Sequence, residues 1–177
     1  QVDSLRKLPL ALNYTGGDAL DVYGYFIKHV QAEARTILKE LATKNGHTYA
    51  IEKDGLRITT TLDAELQRMA HIATHQHLAV MQPKLDAELK ARKARSTWEK
   101  RMEPRSSAPW KQNAREIREV YDHAARRLDT LSYRDSLWHY QKLLNGAVFM
   151  MEPATGAVRC WVGGNDYRYL PYDLVTA

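Results

Sequence analysis

Four sets of residues in this chain have types and spacings that bear on chemistry. Ser4-Leu5-Arg6-Lys7 matches Ser-x-x-Lys, in which a lysine amine assists deprotonation of a serine nucleophile. The pattern fixes only two positions, adjoins no helical signal and lacks Ser-x-Asn or Lys-Thr-Gly companions, so it reads as a chance match. His71, His75 and His77 fall on one expected helix, and the four-residue step between the first two can place both imidazoles on one metal. A metalloprotease helix carries glutamate directly after its first histidine, and here Ile72 occupies that place, which favours histidines on a polar face. Gly163-Gly164 is followed by neither Lys-Ser/Thr nor a helical pattern, so a tight exit from a buried strand is favoured over a phosphate cradle. Cys160 is the only cysteine; it rules out an internal disulfide framework or a cysteine-rich zinc site and reads as an inert thiol buried in a strand. No residue is assigned a catalytic, cofactor-binding or metal-ligating role, and no cofactor is implied.

The elements that would position these residues form an α+β pattern. Of 177 residues, 44% are hydrophobic, enough for one core or two small ones. No apolar run approaches the roughly 18 to 20 residues that span a bilayer, and the opening Gln1-Val2-Asp3 is unlike a leader, so any leader or anchor is expected outside these residues. Residues 1–20, with Leu5, Leu8, Leu10 and Leu12 around Pro9, suggest an extended docking segment. Val22, Tyr25, Phe26, Val30, Ile37, Leu38 and Leu41 predict a helix over 21–44, stopped by Asn45-Gly46. Two β-prone runs around Asp54-Gly55 predict a hairpin over 48–62. Asp63 then caps a helix carrying Leu66, Met69, Ala70, Ala73, Val80 and Met81, which Pro83 should kink or restart.

A polar helix is expected from there to about Met102, followed by a break at 103–109 and a further helix over 110–128. Ser132-Tyr133-Arg134-Asp135 has the spacing of a capping box ahead of Leu137, Tyr140, Leu143 and Leu144, with an end at Asn145-Gly146. A last hairpin pairs 147–151 with 157–162 through Pro153-Ala154-Thr155-Gly156, and the apolar first strand predicts burial on both faces. The two hairpins are expected to share one antiparallel sheet.

Net charge is +5, with a pI near 9.3. Residues 84–127 hold 13 Lys or Arg against 7 Asp or Glu, so the basic character belongs to this stretch, which includes Trp98 and Trp110. Such a stretch suits nucleic acid or an anionic surface, but interspersed Asp86, Glu88, Glu99, Glu116 and Glu119 permit helical ion pairs and favour a solvated face.

Two separated blocks resemble one family. Asp54-Gly55-Leu56-Arg57-Ile58-Thr59-Thr60-Thr61-Leu62-Asp63-Ala64-Glu65-Leu66-Gln67 is similar to the Gly-Leu-x-Ile-x-Thr-Thr-Leu-Asp-x-x-Leu-Gln stretch of class A penicillin-binding proteins. Met151-Glu152-Pro153-Ala154-Thr155-Gly156-Ala157-Val158-Arg159-Cys160-Trp161-Val162-Gly163-Gly164-Asn165-Asp166-Tyr167 resembles the hairpin and glycine pair that open their transpeptidase domain. Leu8-Pro9-Leu10 through Tyr25-Phe26 looks like the segment after the glycosyltransferase domain, and the stretch from Pro83 to Leu131 with Asp135-Ser136-Leu137 and Tyr140 is similar to Bacteroidetes-type members.

The resemblance implies a bifunctional enzyme, anchored in the cytoplasmic membrane and facing the periplasm, that polymerises glycan strands and crosslinks stem peptides through a penicillin-sensitive serine. The family's catalytic glutamate is expected upstream of Gln1 and its Ser-x-x-Lys shortly after Ala177, so these residues read as a non-catalytic interdomain segment. On this reading, 1–20 follows the glycosyltransferase domain, 21–82 and 132–177 form the linker and the start of the transpeptidase domain, and 83–131 is a basic helical insert. Its partners are the two parent domains, with cell-wall synthesis proteins or an anionic membrane surface at 83–131, and nucleic acid disfavoured. The alternatives are an autonomous basic helical module for nucleic acid or an acidic partner, and a serine acyltransferase using Ser4 and Lys7.

Overall fold

A computed structural model describes residues 16–102, 115–123 and 127–177, with side chains from residue 22 onward. The order is α1 (Gly16–Asn45), α2 (Ala64–Ala91), α3 (Ala94–Met102), β1 (Ile117–Asp122), β2 (Arg127–Ser132), α4 (Tyr133–Lys142), β3 (Val148–Met151) and β4 (Val158–Val162). The α+β class is as expected, but the strands form two separate two-stranded antiparallel sheets, β1–β2 and β3–β4. No described helix is long and apolar enough to cross a membrane.

Local capping signals are realised closely. Asp63 caps α2, its carboxylate accepting from the Glu65 and Leu66 amides at 2.9 and 3.0 Å. Ser132 Oγ accepts from the Asp135 amide at 3.2 Å and donates to the Asp135 carboxylate at 2.6 Å. In the last hairpin Gly156 takes φ +74°, and its amide donates to the Glu152 carbonyl, the left-handed closure that favours glycine.

Several expected elements are replaced. Helix α1 begins at Gly16, inside the segment expected to be extended; residues 1–15 lie outside the described residues. No strand forms over 48–62. The Asp54 carboxylate accepts from the Ala50 amide at 2.7 Å, and the Lys53 and Asp54 amides return to the Ala50 carbonyl, closing a local turn instead of a hairpin. Residues 55–63 then carry no regular secondary structure and meet β4 through Thr61 and Asp63.

Pro83 lies inside α2, which continues to Ala91, so the helix is not restarted there. A proline removes one helical hydrogen bond, but the helix beyond it is anchored on both sides. Gln82 donates to Asp86 at 3.0 Å and to the Lys142 carbonyl at 3.2 Å, and accepts from the Leu144 amide at 2.7 Å; Lys142 pairs with Asp86 at 2.9 Å. The helix expected over 110–128 is overturned by β1–β2, with Ile117 opposite Ser132 and Asp122 opposite Arg127. Among the described residues, the basic stretch is therefore part helical and part paired strand.

The buried centre is small and lies where α1, α2 and β4 meet: Tyr25, Ala70, Cys160, Trp161 and Val162. Within the last hairpin β4 is the buried strand. The expected burial of β3 is overturned, since Phe149 is 45% and Met151 51% exposed.

Candidate functional site at the glycine pair

Strand β4 carries the polypeptide into Gly163-Gly164, and the carbonyls and amides along its outer edge set the geometry there. The Asp63 amide donates to the Arg159 carbonyl at 2.9 Å, and Thr61 Oγ1 donates to the Val158 carbonyl at 2.8 Å. Next along the edge, Gln67 acts as a one-residue strand. Its Oε1 accepts from the Trp161 amide at 2.7 Å, and its Nε2 donates to the Trp161 carbonyl at 2.8 Å and to the Val22 carbonyl at 2.8 Å. Gln67 is fully buried, so a single carboxamide satisfies backbone from α1 and β4 while standing on α2.

The glycine pair provides space. A Cβ on Gly163 would meet the Asp173 carboxylate and stand 2.7 Å from the Tyr25 ring; one on Gly164 would meet the Tyr25 hydroxyl and stand 2.9 Å from Cζ. Neither glycine has positive φ, so close approach to a neighbouring ring and carboxylate replaces the expected role in backbone turning. Gly24 on α1 makes the reciprocal approach, its position for a Cβ lying 2.6 Å from Tyr167 Cβ. Tyr25 meets Tyr167 edge to face at 5.3 Å and donates its hydroxyl to the Leu170 carbonyl at 2.6 Å. Burial, followed by the nearby Asp166 and Asp173 carboxylates, pushes the Tyr25 phenol above its ordinary value, so it stays a protonated donor at any physiological pH.

The tail folds back over this point. Asp173 accepts from Trp161 Nε1 at 2.9 Å and from the Val175 amide at 2.9 Å, while the Leu174 amide donates to the Gly163 carbonyl at 2.8 Å. Asp166 is buried, and Arg168 grips it through Nη2 at 2.6 Å and Nε at 3.0 Å. Asn165 donates from Nδ2 to the Leu144 carbonyl and from its amide to Asn145 Oδ1, both at 2.8 Å.

Among the residues singled out in the sequence, Ser4, Lys7 and Trp110 lie outside the described residues. His71 and His75 are not on a polar face: His71 is buried, its ring centroid 4.2 Å from that of His75, whose Nε2 reaches the Asn165 carbonyl at 2.7 Å. His77 is exposed. Among the described residues no three histidine, cysteine, aspartate or glutamate side chains form a group able to hold a metal ion. Cys160 is fully buried, and burial raises its thiol pKa, as its strand context suggested. Trp98 packs on Trp138 at 5.2 Å.

Sequence reasoning missed Gln67, Tyr25, Asn145, Asn165, Asp166 and Asp173 as a connected set. The available signal was a glutamine one turn after the capping Asp63, a polar residue placed where α2 must be buried. What this set does is positional: each polar group fixes backbone from a different element. No protein-family model matches the chain, and neither a curated protein nor a solved structure matches it.

Proposed function

We propose that this chain is a non-catalytic connector of a bifunctional cell-wall synthase of the class A penicillin-binding type, setting the spacing and orientation of a glycosyltransferase and a D,D-transpeptidase unit at the periplasmic face of the cytoplasmic membrane. The observation that carries this reading is the contact between the two sequence blocks on which the resemblance rests. Thr61, Asp63 and Gln67 of the first hydrogen-bond Val158, Arg159 and Trp161 of the second. Joining those blocks rigidly is what a connector requires, because a growing glycan must reach the second site at a fixed distance and angle.

The hairpin's asymmetry agrees. The outer edge of β4 is covered, whereas β3 pairs only with β4 among the described residues and exposes Phe149, Met150 and Met151. Exposed edges are ordinarily blunted by charge or proline, and Val148–Met151 has neither. A transpeptidase sheet continuing from β3 would cover it. Within 83–131, Arg95 pairs with Glu99, and both reach α4, at Asp135 and Arg134 respectively, which leaves less basic charge for an outside partner.

An antibody raised against the chain, applied to membranes labelled with fluorescent penicillin, tests the proposal. The antibody-reactive polypeptide is expected to carry the penicillin label. An antibody-reactive polypeptide that never labels would overturn the reading, and a salt-dependent shift of duplex DNA by the chain would favour a nucleic-acid module instead.

A further inference from the structure

We infer that one buried water molecule occupies a cavity between α2, the residues just before β3 and the end of β1, bridging His123 to Asn165 and fastening the β1–β2 hairpin to the loop after β4. The inference is independent of the cell-wall reading.

The cavity measures about 20 Å³, room for a single water, and its lining includes His75, Ala79, Gln82, His123, Leu144 and Asn165. Two side chains on it are almost wholly buried and carry polar atoms without a protein partner: both ring nitrogens of His123, and Oδ1 of Asn165. The Asn165 orientation is fixed, because Nδ2 donates to the Leu144 carbonyl and so leaves Oδ1 as the acceptor on the other arm of the carboxamide. Polar atoms stranded away from water are costly to the folded state. A polar cavity of this size retains a water when two to four polar groups can hold it.

His123 and Asn165 Oδ1 make no hydrogen bond to each other, and one water between them can serve both. Burial keeps His123 neutral at neutral pH, so its ring offers one N–H donor and one bare nitrogen acceptor. A water can give one hydrogen to Asn165 Oδ1 and meet a His123 nitrogen of either kind, by accepting from the N–H or by donating its second hydrogen. His75 is committed through Nε2 to the Asn165 carbonyl, and the Gln82 carboxamide to Asp86, Lys142 and Leu144. His123 and Asn165 are thus the groups the water serves.

A high-resolution crystal structure and water-¹⁷O magnetic relaxation dispersion of the chain together test this. Density for one water within hydrogen-bond reach of a His123 ring nitrogen and Asn165 Oδ1 is expected. In solution, Ala79→Leu, which fills the cavity from α2, should remove one long-lived water from the dispersion amplitude; Ala79→Val provides the same reading if the larger side chain prevents folding. A dry cavity, a His123 ring bonded to another protein group, or a dispersion amplitude unchanged by a folded filling variant would overturn the inference.

Discussion

In the body of the molecule, α1, α2 and β4 meet through side chains that hydrogen-bond buried backbone; in the arm beyond Pro83, α2, α3 and α4 are tied largely through ion pairs between partly exposed side chains. Gln67 and Tyr25 represent the first kind and Arg95 the second, with its guanidinium on both Glu99 and Asp135. Water competes poorly for a buried carboxamide and readily for a half-exposed guanidinium, so equal numbers of hydrogen bonds give unequal rigidity. Aromatic contacts, Tyr121 stacked on Tyr169 at 4.3 Å where the arm meets the body and Trp98 on Trp138 within the arm, add packing but little directionality. This construction holds the glycine pair firmly and leaves the arm freer to adjust.

The largest test of that contrast is Gln67→Leu, which strands the Trp161 amide and carbonyl; a loss of about 4 kcal/mol is expected from the urea midpoint. Next comes Gly164→Ala, whose methyl would overlap the Tyr25 hydroxyl, with a loss of about 3 kcal/mol and disturbance of Tyr25 fluorescence.

A smaller effect belongs to the boundary between body and arm. Burial depresses His123 to about 4, with His75 and His139 adding to the shift and Asp166 and Asp122 opposing it. The unfolded histidine binds a proton near pH 6.5, which the native ring refuses until about pH 4, so the native state holds fewer protons between those values. Stability from this group is therefore complete above roughly pH 6.5 and declines as pH falls toward 4, by about 2 kcal/mol after allowance for partial solvent screening. Urea midpoints at pH 7 and 4.5 should show a shallower decline in His123→Phe than in the parent chain.

The smallest change is expected from Arg95→Met in the arm, under about 1 kcal/mol and vanishing in high salt. A loss in Arg95→Met comparable to that in Gln67→Leu would erase the contrast.

What could be read from the sequence follows the reach of each interaction. The caps at Asp63 and Ser132 and the Pro153–Gly156 turn depend on neighbours within four residues, and all three are realised. The hairpin expected over 48–62 fails because Asp54 captures the Ala50 amide, a choice that alternating β-branched residues cannot reveal. The helical reading of residues 110–128 arose because Ile117 and Val120 are three apart among good helix formers, while Leu128 and Leu131 belong to the strand that pairs with theirs. Apolar Val148–Met151 indicated a strand correctly, but its exposure depends on which chain segments flank it. At the glycine pair, sequence marked a strand exit, while the partners that require glycine are Tyr25, far away along the chain, and Asp173 in the tail that folds back.

Native-state hydrogen exchange resolved by residue tests the central claim that the Gln67 and glycine-pair joint is the rigid element. The Trp161 and Leu174 amides should exchange only through global unfolding, with β1–β2 amides opening at lower free energy. β1–β2 amides protected as strongly as those of Trp161 and Leu174, or Trp161 exchanging ahead of them, would contradict it.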